Sequence, residues 1–154
     1  MSRLHELLAN YSRDHENPTN QAIHLVCVPL ILWSVIAMAW TIPVPGTWFK
    51  PGAFAGALMA VFAAWTFRGS RPLGFGLVVA FVAAGALCWL IADAIGMRGL
   101  FITAAGVFVL AWIGQFIGHR IEGKRPSFLT DLVYLLVGPA WTLAKLYRRL
   151  GIAY

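Results

Sequence analysis

The chain has 154 residues, of which 60% are hydrophobic and only 12% are charged. Soluble domains have about 25% charged residues, so the composition argues against a protein covered by water and indicates that lipid covers much of the surface. The formal net charge is +6, but the basic residues lie in short clusters between apolar runs, which is typical of loops and lipid contacts beside a membrane and not of a nucleic-acid-binding surface.

The N-terminal segment, residues 1–21, is polar and carries one amphipathic pattern. Within LHELLANY, the apolar side chains recur at Leu4, Leu7, Leu8 and Tyr11. This spacing places them on one face of a helix. We therefore predict a short helix whose apolar face lies on the membrane surface.

Four long apolar runs follow the N-terminal segment. They span about residues 22–42, 52–67, 72–95 and 99–117. A helix needs about 20 residues to cross a bilayer, so the second run is short. It could cross if flanking residues extended the helix or if the bilayer were locally thin. The pattern predicts four transmembrane helices.

A last apolar stretch, about residues 127–147, differs from the other four. It contains Asp131, and the helix-breaking pair Gly138–Pro139 interrupts it near its middle. Two alternatives follow from this composition. The stretch either crosses the membrane or forms a re-entrant or interfacial pair of short helices.

The distribution of basic residues favours the second alternative. If the last stretch does not cross, one side of the membrane carries ten Lys and Arg residues and the other carries only Lys50 and Arg98. Cytoplasmic loops are rich in Lys and Arg, so both termini are predicted to be cytoplasmic. The predicted fold class is all-α, a polytopic membrane helical bundle that forms a single domain over residues 1–154.

A polar stripe marks the start of the first apolar run, in the sequence DHENPTNQAIH. Asn17 is a favourable N-cap and Pro18 is favoured at the first helical position, so a helix is predicted to begin there. The turn before this helix allows His15 to fold back toward His24. Asn20 lies four residues before His24 and shares its helical face.

A second polar stripe lies at the end of the fourth apolar run, in WIGQFIGHRIEGKRP. Gln115 and His119 are four residues apart, and Glu122 follows three residues later. This spacing places the three side chains on one face of a helix. Under the predicted topology both stripes lie at the same membrane surface, where their histidines can converge.

Neutral imidazoles beside a carboxylate form a favourable site for Fe(II), Zn(II) or Mn(II). The sequence therefore suggests His15, His24 and His119 as metal ligands, with Glu122 as a further candidate. The amides of Asn20 and Gln115 could orient these ligands through hydrogen bonds.

A simpler interpretation of the same residues remains open. The histidines could be solvated at the membrane interface, and Glu122 could pair with a neighbouring basic residue. The polar stripes would then only pack the ends of two helices. This alternative corresponds to a small membrane protein without catalytic activity.

The two polar blocks, YSRDHENPTNQAIHLVCVP and QFIGHRIEGKRPS, resemble those of the Mpo1-like family. Its members share a Y-x3-H-x-N-P-x-N-x3-H pattern near the N-terminus and a Q-x-x-G-H-x-x-E-x-x-x-P block that corresponds here to the end of the fourth predicted transmembrane helix. The resemblance extends over nearly the whole chain, including the apolar spacing between the blocks.

The resemblance implies an Fe(II)-dependent dioxygenase of lipid α-oxidation, which uses O2 to convert a long-chain 2-hydroxy fatty acid to a fatty acid one carbon shorter. The family's conserved histidines match His15, His24 and His119. Its other polar positions match Asn20, Gln115 and Glu122, whereas His5 lies outside both blocks. The compact chain suits a bacterial member located in the inner membrane.

In such an enzyme the alkyl tail of the substrate would lie among the apolar helices and its head group at the interface. Arg120, Lys124 or Arg125 could bind the carboxylate. Another metal-dependent lipid-modifying enzyme, such as a zinc hydrolase, could use the same ligands. The sequence does not specify the chain length of the substrate or the oligomeric state.

Overall fold

The structure, a computed structural model, describes residues 2–46, 49–125 and 133–154. Over these residues it contains helices and no strands, in agreement with the all-α prediction. The helices are α1 (Arg3–Arg13), α2 (Pro18–Trp40), α3 (Ala53–Gly69), α4 (Arg71–Glu122) and α5 (Tyr134–Arg149).

The start of α2 is fixed by the capping residues that the sequence predicted. The Asn17 side chain accepts hydrogen bonds from the backbone N–H groups of Thr19 at 2.9 Å and Asn20 at 3.3 Å. Pro18 occupies the first helical position, where its missing N–H costs no hydrogen bond. The chain therefore turns sharply before α2, as expected.

A break at Gly96 divides α4 into two helical segments. Gly96 has φ 77° and ψ 169°, a backbone conformation that essentially only glycine adopts. Before the break, Gly85 lies beside Trp40 at the end of α2. After it, Gly118 lies beside Asn20 at the start of α2. The two segments therefore run in opposite directions along α2, in the places predicted for the third and fourth apolar runs.

A hydrophobic core joins α2, α3 and both segments of α4. Its buried members include Ile36 from α2, Phe62 from α3, Leu77 from the first segment of α4 and Leu100 from the second. Along the chain, these four helical segments run alternately in opposite directions. Together they form the bundle that positions both polar stripes at one end.

The apolar face of α1 packs against protein and not against lipid. Leu4, Leu8 and Tyr11 are buried, and they form a second core with residues of α5 that include Val137 and Trp141. The amphipathic helix was predicted correctly, but its predicted partner was wrong. The same spacing suits an apolar face that packs against another helix. Only the tertiary structure distinguishes contact with lipid from contact with protein.

The helix break expected at Gly138–Pro139 does not occur, because α5 continues through Pro139 as one helix. At Gly138 the helix packs against α1 and α2, since a Cβ at this position would lie at ordinary van der Waals distance, 3.4 Å from the Tyr11 hydroxyl and 3.5 Å from Val28. Residues 126–132, which include Asp131 and the beginning of the predicted last stretch, lie outside the described residues.

Two of the described helices, α2 and α4, are long and apolar enough to cross a membrane, whereas α3 is a shorter apolar helix. Large apolar side chains cover the outside of the bundle, and Val61, Val79 and Leu110 are each at least 70% exposed. Contiguous exposed apolar surface of this kind is typical of contact with a membrane or a partner. The count of four membrane spans stays a prediction.

Candidate metal centre

The loop between α1 and α2 brings two imidazole rings together in a T-shaped arrangement, with an angle of 71° between their planes. The Nε2 atoms of His15 and His24 are 3.1 Å apart, and both residues are almost completely buried. In one continuous helix, side chains nine residues apart would point in opposite directions. The turn at Asn17 therefore permits the predicted approach of the two rings.

The second ring nitrogen of each histidine is held by a backbone carbonyl. Nδ1 of His15 lies 2.7 Å from the carbonyl oxygen of Tyr11, and Nδ1 of His24 lies 3.0 Å from that of Asn20. A carbonyl oxygen only accepts hydrogen bonds, so each Nδ1 carries a proton and donates it. In the neutral rings, both Nε2 atoms consequently present lone pairs to each other.

A cation between these lone pairs would stabilise the arrangement. A proton is a poor candidate, because burial lowers the pKa of His15 by removing water from the charged ring. A metal ion fits better. Two nitrogen ligands, each about 2.1 Å from one ion, lie about 3 Å apart when their bonds are at right angles, and the two Nε2 atoms are 3.1 Å apart.

The third histidine, His119, comes from the last turn of α4. Its ring centroid lies 5.1 Å from that of His15 and 4.9 Å from that of His24. One nitrogen from each of the three rings lies within 4.8 Å of the other two. The structure thus gathers the three predicted histidines into one buried cluster with the donor chemistry of a metal site.

Two aromatic side chains enclose this cluster on the α1 and α5 side. The Tyr11 ring stacks on His15 with centroids 4.1 Å apart, and the Trp141 ring lies 5.7 Å from His15. Trp141 is fixed by a 2.9 Å hydrogen bond from its Nε1 to Ser12. Burial, followed by the nearby charge of Asp14, raises the pKa of Tyr11, so its phenol stays protonated.

Glu122 lies near the histidines, but its carboxylate binds the loop between α1 and α2. Its oxygens accept hydrogen bonds from the backbone N–H groups of Glu16 at 2.9 Å and Asn17 at 3.0 Å, and from the Asn20 side chain at 2.8 Å. The carboxylate is not a member of the cluster of possible ligand atoms. It connects the three segments that carry the histidines: the loop, the start of α2 and the end of α4.

An apolar cavity of about 370 Å³ lies beside the histidines, between α2, α3, α4 and α5. His119 and Gln115 line its polar end, one helical turn apart on α4. Most of the remaining lining is apolar and includes Val35, Phe62 and Phe108. A pocket of this size and composition suits a ligand with one polar end and a hydrocarbon body.

The basic residues suggested as a carboxylate site do not line this cavity. Arg120, Lys124 and Arg125 are exposed at the end of α4. Lys124 donates a 2.8 Å hydrogen bond to the backbone carbonyl of Arg13 and lies 4.0 Å from Glu16. Its visible role is to hold the loop between α1 and α2.

His5 lies apart from the cluster. Its Nδ1 is 2.6 Å from the Ser2 hydroxyl, and its ring stacks on Tyr154. This position agrees with its absence from the two sequence blocks.

Tyr11 and Trp141 were not predicted from the sequence as parts of the site. The signal for Tyr11 was present, because Tyr11 and His15 are four residues apart and the Y-x3-H spacing opens the first polar block. Trp141 had no such signal. It reaches the cluster only because α5 packs on α1 in the folded protein.

These observations define a class: an all-helical protein with a buried three-histidine cluster at the end of an apolar cavity. Comparison with known proteins gives the family. The chain matches the family described as Mpo1-like, 2-hydroxy-palmitic acid dioxygenase Mpo1-like, over residues 1–150. It belongs to the Mpo1-like family.

A curated relative supports this assignment. The chain is 28% identical over 153 residues to the 2-hydroxy-palmitic acid dioxygenase MPO1 of Saccharomyces cerevisiae, and the match covers 96% of this chain and 82% of the yeast protein. No solved structure matches the chain. The relationship supports a related function for this protein.

Proposed function

We propose that the protein is an Fe(II)-dependent dioxygenase that converts a long-chain 2-hydroxy fatty acid to the fatty acid one carbon shorter. The observation that carries the proposal is the pair of facing Nε2 lone pairs on His15 and His24, with His119 beside them at the end of an apolar cavity. Family membership and the name of the yeast relative supply the reaction class and the substrate class.

The proposed reaction is balanced without a further reductant. One 2-hydroxy acid and one O2 give the shorter acid, CO2 and water. The bond that breaks joins the carboxyl carbon to the carbon that carries the hydroxyl group, and O2 accepts the four electrons that the substrate loses. Iron bound at the site supplies the one-electron chemistry through which O2 can react with an organic substrate.

The chain's own residues have distinct roles in this proposal. His15, His24 and His119 hold the ion as neutral imidazoles. Glu122 keeps the three segments that carry them in register, as an outer partner of a metal site does. Tyr11 limits the entry of water on one side of the site.

We further propose that α2, α3 and both segments of α4 cross a membrane and that the site lies on its cytoplasmic side. Basic residues gather at the histidine end of the bundle, namely Arg13, Arg68, Arg71, Arg120 and Lys124. A cytoplasmic face is rich in such residues. In a bacterium this membrane would be the inner membrane. A periplasmic signal from a reporter fused to the C-terminus would contradict the cytoplasmic location of that terminus.

The first experiment is elemental analysis of the detergent-purified protein and of the His119→Ala variant after anaerobic reconstitution with Fe(II). We expect roughly one iron per chain in the wild type and loss of that iron in the variant. The wild type should then consume O2 with 2-hydroxypalmitic acid and release CO2. Zinc in place of iron would indicate a hydrolytic enzyme, and no bound metal would overturn the proposal.

A further inference from the structure

The amide of Gln115 is a buried hydrogen-bond donor beside the histidine cluster. The residue is 5% exposed and lines the cavity next to His119. Its Nε2 has no hydrogen-bond partner in the described part of the chain. A buried donor without an acceptor is unfavourable, so a ligand oxygen at this position would be stabilised.

Beyond Gln115 the cavity continues as an apolar slot. Val35 on α2 lies eleven residues after His24, and Phe108 on α4 lies eleven residues before His119. At 1.5 Å per residue, each is about 16 Å along its helix axis from the corresponding histidine. Both line the cavity, so the slot has the histidines and Gln115 at one end and apolar side chains at the other.

Leu58 of α3 contributes to the apolar end of this slot. The direction of α3 follows from its ends, since Gly52, just before it, lies against Trp40 and Gly69 lies against Leu4. Leu58 is therefore one turn farther from the histidine end than Phe62. It is 42% exposed, so its replacement does not disrupt the buried core.

We propose that Gln115 donates a hydrogen bond to a carboxylate oxygen of the substrate and that the slot holds its alkyl chain. Leu58, Val35 and Phe108 then limit the chain length that the protein accepts. The identity of the ligand as a free 2-hydroxy fatty acid rests on the proposed function. Recognition of the head group is thereby assigned to an amide inside the bundle and not to the exposed basic residues at the end of α4.

Chain-length preference can be measured by binding alone. The metal-free full-length protein in detergent is loaded with a fluorescent fatty acid, which is displaced by saturated 2-hydroxy acids of increasing length. Leu58→Trp should move the preferred length to shorter chains and Leu58→Ala to longer ones. Each methylene that no longer fits should weaken binding about fourfold.

The same substitutions at Leu110 provide a matched control. Leu110 is 70% exposed on the outside of α4 and does not line the cavity. Leu110→Trp and Leu110→Ala should leave the length profile unchanged. Val35→Phe is a second filling variant on a different helix, and it should shorten the preferred chain as Leu58→Trp does.

The role of Gln115 has its own test. Gln115→Leu keeps the volume of the side chain but removes the donor, so binding of the acid should weaken about tenfold. Gln115→Glu should weaken it further, because two carboxylates repel each other in a buried site. The length preference should stay that of the wild type in both variants.

The outcomes separate this inference from the proposed reaction. A length shift in the metal-free variants, with no turnover by the iron-loaded wild type, would uphold the slot and reject the dioxygenase. Turnover by the wild type with an unchanged length profile in the Leu58 and Val35 variants would overturn the slot. Displacement by a phospholipid as effective as that by the free acid would also overturn it, because the occupant would then be a bilayer lipid.

Discussion

His15 and His24 are anchored in the same way, since each ring donates its Nδ1–H to the backbone carbonyl four residues earlier in the chain. Their Nε2 atoms face each other at 3.1 Å. Because the anchors are backbone groups of the preceding helical turn, the orientation of each ring is set locally, and the stacking of Tyr11 on His15 adds to it. In the proposed function, the pair is therefore oriented for a metal ion before the ion binds.

We expect His24→Ala and His119→Ala each to abolish bound metal and dioxygenase activity. Each substitution removes one of three donors from a cluster whose nitrogens lie within 4.8 Å of one another. Elemental analysis and O2 consumption measure the two losses. Insertion into the membrane should stay intact, because neither residue contributes to the exposed apolar surface.

His5→Ala is the matched control for these variants. His5 pairs with Ser2 and stacks on Tyr154, away from the cluster. Its replacement should leave both metal content and activity unchanged. Metal retained by both His24→Ala and His119→Ala would show that the ion is bound elsewhere.

Glu122→Gln should weaken metal binding and activity by about 10- to 100-fold, as is usual when an outer partner of a metal site is lost. The substitution replaces an acceptor of three hydrogen bonds by a neutral amide, one of whose two terminal atoms only donates. The affinity can be measured by titrating Fe(II) into the metal-free protein under anaerobic conditions.

Asp93→Asn changes the charge in the same way at an exposed position on the first segment of α4. The Fe(II) affinity of this variant should equal that of the wild type. Equal affinity in Glu122→Gln would contradict the proposed positioning role of the carboxylate.

The turn before α2 and the polar face of α4 were predictable because each depends on local features. Asn17 and Pro18 set the start of α2 through capping, and the four-residue spacing of Gln115 and His119 sets a shared face on α4. Such relationships depend on neighbours within about one helical turn. The sequence therefore located the polar end of the bundle without knowledge of the packing.

The packing of the terminal helices was not predictable from the same features. The apolar stripe of α1 could cover lipid or protein, and it covers α5. Pro139 was expected to break the last helix, but α5 continues through it, and Gly138 lies beside Tyr11. The cavity and the position of Trp141 follow from this packing, so they had no local signal in the sequence.

The stability of the metal-free protein should decrease as the pH falls below about 6.5, the ordinary histidine pKa. Burial lowers the pKa of His15 in the folded protein. As the pH falls, the unfolded chain binds a proton before the folded chain does, so the free energy of unfolding decreases. Thermal unfolding in detergent over a series of pH values measures this dependence.

His15→Gln removes one of the groups responsible for this pH dependence. Its melting temperature should fall less steeply than that of the wild type between neutral and mildly acidic pH. Parallel curves for the two proteins would show that His15 titrates alike in the folded and unfolded states.

Gly118→Ala should destabilise the protein and weaken the metal site. A Cβ at Gly118 would collide with Oδ1 of Asn20 and would lie 3.4 Å from Cγ2 of Ile23, so either the Asn20 amide, which donates to Glu122, or α4 itself would have to shift. Overpacking of this kind costs about 1–3 kcal/mol. The backbone carbonyl of Asn20 holds His24, so the displacement should also lower Fe(II) affinity.

Gly106→Ala places the same methyl group on the same helix, where no described residue has an atom within 4 Å of it. It should be neutral or should stabilise the protein by about 0.5–1 kcal/mol, because alanine favours a helix more than glycine does. The two variants can be compared by thermal unfolding and by Fe(II) titration. If Gly118→Ala matched Gly106→Ala in both measurements, close contact between α2 and α4 would not be what holds His24 and His119 together.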